Sequence, residues 1–131
     1  MERTLILIKP DAVKRHLIGR IISIYEDNGL IIEGMYKRQL DKAILEKHYE
    51  EHVNRDFYPS LLEFMMEDEV IVLKVAGENA VQVVRDINGA TNPSKARPAT
   101  IRYIYGESVQ RNVVHGSANL EDAKRELEIW F

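Results

Sequence analysis

Two apolar runs that fail to alternate constrain this chain more than any other feature. Thr4 to Ile8 and Val70 to Val75 place apolar side chains on successive positions, so as strands both need cover on the two faces of a sheet. The first run stops at Lys9-Pro10, where proline has no N–H to give to a ladder. Such strands belong to the interior of a layered domain, and the rest of the chain must supply the layers.

The intervening segments read mostly as helix. Ile18, Ile21, Ile22 and Tyr25 recur at helical spacing up to Asn28-Gly29, a C-terminal stop. Asp11 stands where it can cap the turn before them. Leu30 to Leu40 is rich in β-formers and contains Gly34, which predicts a bulge or a close backbone approach. Asp41 caps a helix in which Ile44, Leu45, His48, Tyr49 and His52 share one broad face, and a second helix follows Pro59. Ala80, Val83, Val84 and Ile87 mark another after the second apolar run. From Asn88 to about Gln110 no period is sustained, although prolines, glycines and the cations Lys95, Arg97 and Arg102 gather there, with Arg85 just upstream. A loop of that length in a small domain is usually functional or disordered. Arg111 to His115 makes a short strand, and Asn119 caps a last helix with Glu121 and Asp122 in its first turn.

This order contains two βαβ units and predicts an α+β, ferredoxin-like βαββαβ fold. Its four-stranded antiparallel sheet carries helices on one face, with an added helical pair and a long loop. With 131 residues, 45% of them hydrophobic, there is material for one core, so residues 1–131 are expected to form a single domain. Helices on one face leave the other bare, and a homo-oligomer packing sheet faces or edges together is the expected cover.

Composition excludes several classes of function. A net charge of -3 argues against nonspecific nucleic-acid binding, and the apolar runs are far shorter than the roughly 20 residues that span a bilayer. The start, Met1-Glu2-Arg3-Thr4, has no basic region before its apolar run, so a cytoplasmic protein is expected. Without cysteine, neither disulfides nor thiolate metal sites are available. Neither Gly-x-Gly-x-x-Gly nor a P-loop is present, so any phosphate must be held by side chains, for which Lys9, Arg85, Thr91 and Arg102 are the candidates. His48-Tyr49-Glu50-Glu51-His52 fits the H-x-x-E-H pattern of inverted zinc proteases, which would require stoichiometric zinc and a third protein ligand. A non-catalytic reader of the RRM type would need paired aromatics on a strand, and neither Leu30 to Leu40 nor Val70 to Val75 has them.

The chemistry centres on Arg111-Asn112-Val113-Val114-His115-Gly116-Ser117. At neutral pH an ordinary imidazole keeps one free lone pair and can serve as base, ligand or nucleophile. Gly116 removes bulk beside the His115 ring, Ser117 offers a hydroxyl at short range, and Glu126 lies one helix later, where it can bind one ring nitrogen and orient the other. No G-x-S-x-G elbow surrounds Ser117, so the serine is a poor hydrolase nucleophile.

The chain resembles the nucleoside diphosphate kinases along essentially its whole length. The markers are Glu2-Arg3-Thr4, Ile8-Lys9-Pro10-Asp11, His48-Tyr49, Thr91-Asn92-Pro93, Thr100-Ile101-Arg102, Arg111-Asn112, His115-Gly116-Ser117 and Trp130-Phe131, in order and at the family's spacing. The resemblance implies a reversible ping-pong reaction. In it His115 takes the γ-phosphoryl group of a Mg2+-bound nucleoside triphosphate, with ATP as donor, and passes it to a nucleoside diphosphate. It assigns catalytic roles to His115, Glu126, Ser117 and Lys9. Lys9, Tyr49, Arg85, Thr91, Arg102 and Asn112 would hold phosphates and sugar hydroxyls. Phe57 would stack on the base, with Leu61 and Val109 beside it. Stacking without base-edge hydrogen bonds would tolerate every base, since each offers a π face. The metal would arrive on the phosphates without protein ligands of its own. The family's members are hexamers or tetramers; which assembly applies here stays open. Departures from the family pattern are Ala12 for a frequent glycine, Asp56 for the proline before the stacking aromatic, Tyr103-Ile104-Tyr105 after the arginine, and Ala118 for a frequent aspartate. The chain also ends at Phe131, short of an extension that many relatives carry.

Overall fold

A computed structural model describes residues 1–131. Four strands form one antiparallel sheet: β1 (Glu2–Ile8), β2 (Ile31–Arg38), β3 (Val70–Gly77) and β4 (Val114–Gly116), in the spatial order β2-β3-β1-β4. The two unalternating runs are the central pair, registered from Glu2 opposite Gly77 to Ile8 opposite Ile71. The helices are α1 (Pro10–Lys14), α2 (Ile18–Asp27), α3 (Lys42–His48), α4 (Tyr58–Met65), α5 (Ala80–Asn88), α6 (Ile101–Tyr105) and α7 (Leu120–Trp130). This is the expected ferredoxin-like sheet with its added helical pair, α3 and α4.

Successive residues of β1 feed two different cores. Ile6 and Ile8 join Ile71, Leu73 and Val75 beneath Ile21 and Tyr25 of α2 and Val84 of α5. Leu5 and Leu7 join Val70 and Val72 beneath Leu45 of α3, Phe64 of α4 and Trp130 of α7. One correction follows for the layers. Helices cover both faces of the sheet, because the helical pair and the C-terminal helix take the face expected to be bare. A second copy is therefore not needed to bury the central strands, and self-association has to be argued from elsewhere.

Other local differences have simple causes. Asp11 sits inside α1, its backbone cap being Lys9, and its carboxylate instead accepts the N–H of Val113 at 3.1 Å. The helix begun at Asp41 ends at His48, and Glu50–His52 continues as a 3-10 turn, so His48 and His52 are not one α-turn apart on a single helix. The segment after Asn88 holds two short helical pieces, a 3-10 turn at Pro93–Lys95 and α6, whose Thr100 hydroxyl accepts from the Tyr103 N–H. Five residues are too few to display a helical period.

Gly34 does mark an irregularity: the β2–β3 register shifts between Ile32 and Gly34. The Phe131 ring lies 2.7 Å from where a Cβ at Gly34 would stand, so the glycine also admits the C-terminal aromatic. Asp41 and Asn119 cap their helices as expected, accepting from Ile44 and Asp122.

Candidate active site

The register of β4 decides where the histidine points. His115 stands opposite Leu7 on β1, and directly paired residues of an antiparallel sheet share a face. Leu7 faces the α3, α4 and α7 side, so His115 projects toward the end of α3 and the flank of α7. Its neighbour Gly116 faces α5, where an added Cβ would meet Asn88 and Val84 at 2.9 Å. A glycine is thus what lets so short a strand lie against α5.

Helix α7 then brings Glu126 to the ring. His115 Nε2 lies 3.0 Å from Glu126 Oε1, and Ser117 Oγ donates to the same oxygen at 2.6 Å. An ionised carboxylate only accepts, so Nε2 carries the ring proton and the lone pair is left on Nδ1. Burial works against the charge of Glu126, but the bond and charge of His115, with Ser117 behind them, outweigh it and hold the carboxyl at about 2. The carboxylate is therefore ionised at every pH of interest. Ser117 is fully buried and does not line the cleft, and its side-chain link to the imidazole runs through Glu126.

Beneath the His115 ring lies a second histidine. His48 sits edge-to-face with it at 4.7 Å between centroids, and accepts the Trp130 indole N–H on Nδ1 at 3.0 Å. Indole nitrogen can only donate, so His48 Nδ1 is unprotonated and its one proton is on Nε2. Burial, followed by the neighbouring His115, lowers its pKa to about 3. Nitrogen and oxygen atoms of His48, His115 and Glu126 lie within 4.8 Å of one another, yet the free lone pair of His48 is already engaged by Trp130. The zinc-protease reading of the 48–52 segment fails on that point and on the broken helix.

A cleft of about 620 Å³ opens in front of His115. Every nucleotide-site candidate from the sequence lines it: Lys9, Tyr49, Phe57, Leu61, Arg85, Thr91, Arg102, Val109 and Asn112. Lys9, at the end of β1, is buried and donates to Asn112 Oδ1 at 2.8 Å. Burial and the charge of Arg102 together bring its ammonium down to about 8. The Asn112 amide in turn bonds the carbonyls of Thr91 and Val109, tying the long loop to β4. Arg102, on α6, donates to the carbonyls of Gly89 and Val114 at 2.7 Å, and its Nε is buried without a partner. Arg85 is held by the carbonyl of Ala118 at 3.0 Å. At the outer lip Phe57 and Val109 are about half exposed, 49% and 57%.

The backbone just before the histidine is strained. Val113 has φ +66, a left-handed conformation that a β-branched residue rarely adopts. It is fixed from both sides, its N–H by Asp11 and its carbonyl by the Lys9 N–H at 2.9 Å.

Sequence reading alone missed three participants. His48 stands in the sequence as a helix-face residue, a family marker and part of a metal pattern, but nothing in a sequence says which strand a helix end will face. Asn88 accepts the Tyr25 hydroxyl at 2.6 Å and packs on Gly116, a role without a local signal. Arg125 bonds the carbonyl of Lys47 and lies 3.8 Å from Glu126 Oε2. Its sequence signal is the spacing with Asp122, three residues earlier on one helix, at which side chains of opposite charge meet.

Comparison with known proteins agrees with this geometry. The model of the family described as nucleoside diphosphate kinase matches residues 2–131. A nucleoside diphosphate kinase of Nocardioides sp. is 50% identical over 129 residues, covering 98% of this chain and 96% of that protein. One from Staphylococcus epidermidis is 50% identical over 131 residues, covering 100% and 88%. The apo crystal structure of the nucleoside diphosphate kinase from Encephalitozoon cuniculi superposes with a TM-score of 0.97 at 40% identity, covering 100% of this chain and 89% of that one. By sequence over nearly its full length, and by fold, the chain belongs to the nucleoside diphosphate kinase family.

Proposed function

We propose that this chain transfers the γ-phosphoryl group of a nucleoside triphosphate to a nucleoside diphosphate by a reversible ping-pong reaction, with His115 as the carrier. The reaction is that of the family; the residue roles rest on the cleft. The observation that carries them is the pairing of His115 Nε2 with Glu126, which leaves Nδ1 as the one basic nitrogen of a ring that is 20% exposed in the cleft wall.

In the first half-reaction a bond forms from Nδ1 to the γ-phosphorus as the bond from that phosphorus to the β-bridging oxygen breaks, and the diphosphate leaves with the electron pair. The imidazole then carries a positive charge, which the ionised Glu126 offsets without having to move. Lys9, Arg85 and Arg102 face the phosphate chain and stabilise charge on the leaving diphosphate. Lys9 is bonded to Asn112 when no nucleotide is bound, so it is already aimed. Reversal with a different diphosphate regenerates the free histidine. Phe57 supports a stacking role, since a ring half exposed at the lip of the cleft offers its face to any base.

Mg2+ is the proposed cofactor, riding on the nucleotide phosphates, where it screens their charge. The donor set fits that arrangement: His48 Nδ1 is taken by Trp130, and Glu126 Oε1 by His115 and Ser117. The one free nitrogen, His115 Nδ1, is a poor match for a hard cation, and Glu51 and Asp122 on the cleft wall would meet the ion through its waters. Residues 1–131 act as one catalytic domain, supported by the single sheet shared by both cores. Homo-oligomerisation is supported by β2, an edge strand without a partner whose Ile31 and Met35 are more than half exposed. No helix is long and apolar enough to cross a membrane. A cytoplasmic place of action is part of the proposal, in keeping with water-soluble nucleoside phosphates as substrates.

Incubation with Mg2+ and a triphosphate labelled in its γ-phosphate is expected to place acid-labile, alkali-stable label on the protein, and an unlike diphosphate is expected to remove it. Equal labelling of His115→Ala would assign the carrier to another residue.

A further inference from the structure

Four cations gather between Arg85 and Arg102, and two of them have no task in the cleft. Lys95 ends the 3-10 turn of the long loop and Arg97 follows two residues later; both are exposed, and neither forms an ion pair. They line a second groove of about 540 Å³ with Arg85, which also stands on the wall of the nucleotide cleft. Gly89 and Ala90 likewise line both, so the groove and the cleft are two sides of one ridge. The single carboxylate in the groove, Asp86, has one oxygen engaged by Gln82 at 2.8 Å. Three cations against one anion make the groove +2, on a chain whose net charge is -3.

A patch of charge opposite in sign to the molecule, unpaired and adjoining the cleft, acts before binding. It raises the encounter rate of an anion by its field, at distances up to a Debye length, without contributing to the bound complex. We propose that the outer groove is a capture site for the phosphate chain of the approaching nucleotide, with Lys95 and Arg97 as steering residues and Arg85 as the point of hand-over to the cleft. This rests on the kinase reading above and adds to it a route of entry.

The test is stopped-flow association of a ribose-labelled fluorescent nucleoside diphosphate with the full chain, in Mg2+, across a range of added salt. The variant is Lys95→Ser with Arg97→Ser. A control, Arg20→Ser with Lys42→Ser, removes equal charge from exposed sites that line neither cavity. For two charges near the path at low salt, the groove variant is expected to associate about fivefold more slowly, with the difference vanishing once the Debye length falls below about 8 Å. Its dissociation rate and its kcat for phosphoryl transfer stay at the wild-type values, and the control keeps most of the wild-type rate. Association at the wild-type rate in low salt overturns the proposal, as does equal slowing in the control or a change confined to dissociation. Failure of the wild-type chain to transfer phosphate would instead overturn the kinase reading, whatever the salt series shows.

Discussion

His48 gives the fold an acid sensitivity that can be worked out in advance. The ring is buried between α3 and α7, faced by His115 and Lys9 from the sheet and by Glu126, Arg125 and Trp130 from α7. Its pKa falls from 6.5 to about 3 on folding. A group whose folded pKa is depressed withholds a proton that the unfolded chain accepts, so stability is complete above pH 6.5 and is lost as pH falls toward 3. Between pH 7 and pH 5 the loss from His48 alone comes to about 1.9 kcal/mol by linkage. That is a large share of a small domain's roughly 5–15 kcal/mol. Glu126, held at about 2, begins to cost stability only below the ordinary carboxyl range near 4.5, so the interval above pH 5 belongs to the histidine.

The perturbation is His48→Asn, whose side-chain oxygen can still accept the Trp130 N–H but does not titrate. Urea unfolding at pH 7 and pH 5, at one protein concentration, gives the two stabilities. The variant is less stable at both pH values because packing is lost, but its drop between them is expected to be smaller than the wild-type drop by about 1.9 kcal/mol. Equal drops in the two proteins would show that His48 protonates in the folded chain, and the tautomer lock by Trp130 would be refuted.

Two further outcomes are expected. Glu126→Gln keeps a hydrogen-bonding group near His115 but removes the charge that offsets the phosphorylated ring. Pre-steady-state phosphorylation should slow by roughly 10- to 100-fold with little change in nucleotide affinity, and an unchanged rate would leave Glu126 a purely structural partner. Ala99 has φ +73, a conformation that suits glycine. Ala99→Gly should therefore raise the unfolding free energy by about 0.5–1 kcal/mol after the entropy of the unfolded glycine is discounted, and a loss of stability would mean that the methyl group packs usefully.

The sheet was readable because its signals are local. Unalternating runs mark the central strands, Gly34 marks the break in β2, and Asp41 and Asn119 announce their helices. The candidate residues were readable too, since each one carried over from the family lines the cleft, apart from Ser117 behind it. What escaped depends on relations between distant segments. That α3, α4 and α7 cover the second face could not be read from a strand pattern, which says only that cover exists. The His48–Trp130 bond joins positions 82 residues apart. Asp11 looks like a cap because its type and place suit one, but the strained Val113 N–H had the stronger claim on it in a buried setting.

The pinning of Val113 links the N-terminal and C-terminal halves of the chemistry. Lys9 and Asp11 hold its amide and carbonyl from the turn where β1 ends, so the three-residue strand bearing His115 is fastened to the segment that bears the buried lysine. His115 and the lysine therefore share one anchor. The separation between the imidazole and that cation is set by backbone at the base of the cleft and not by the loops at its rim.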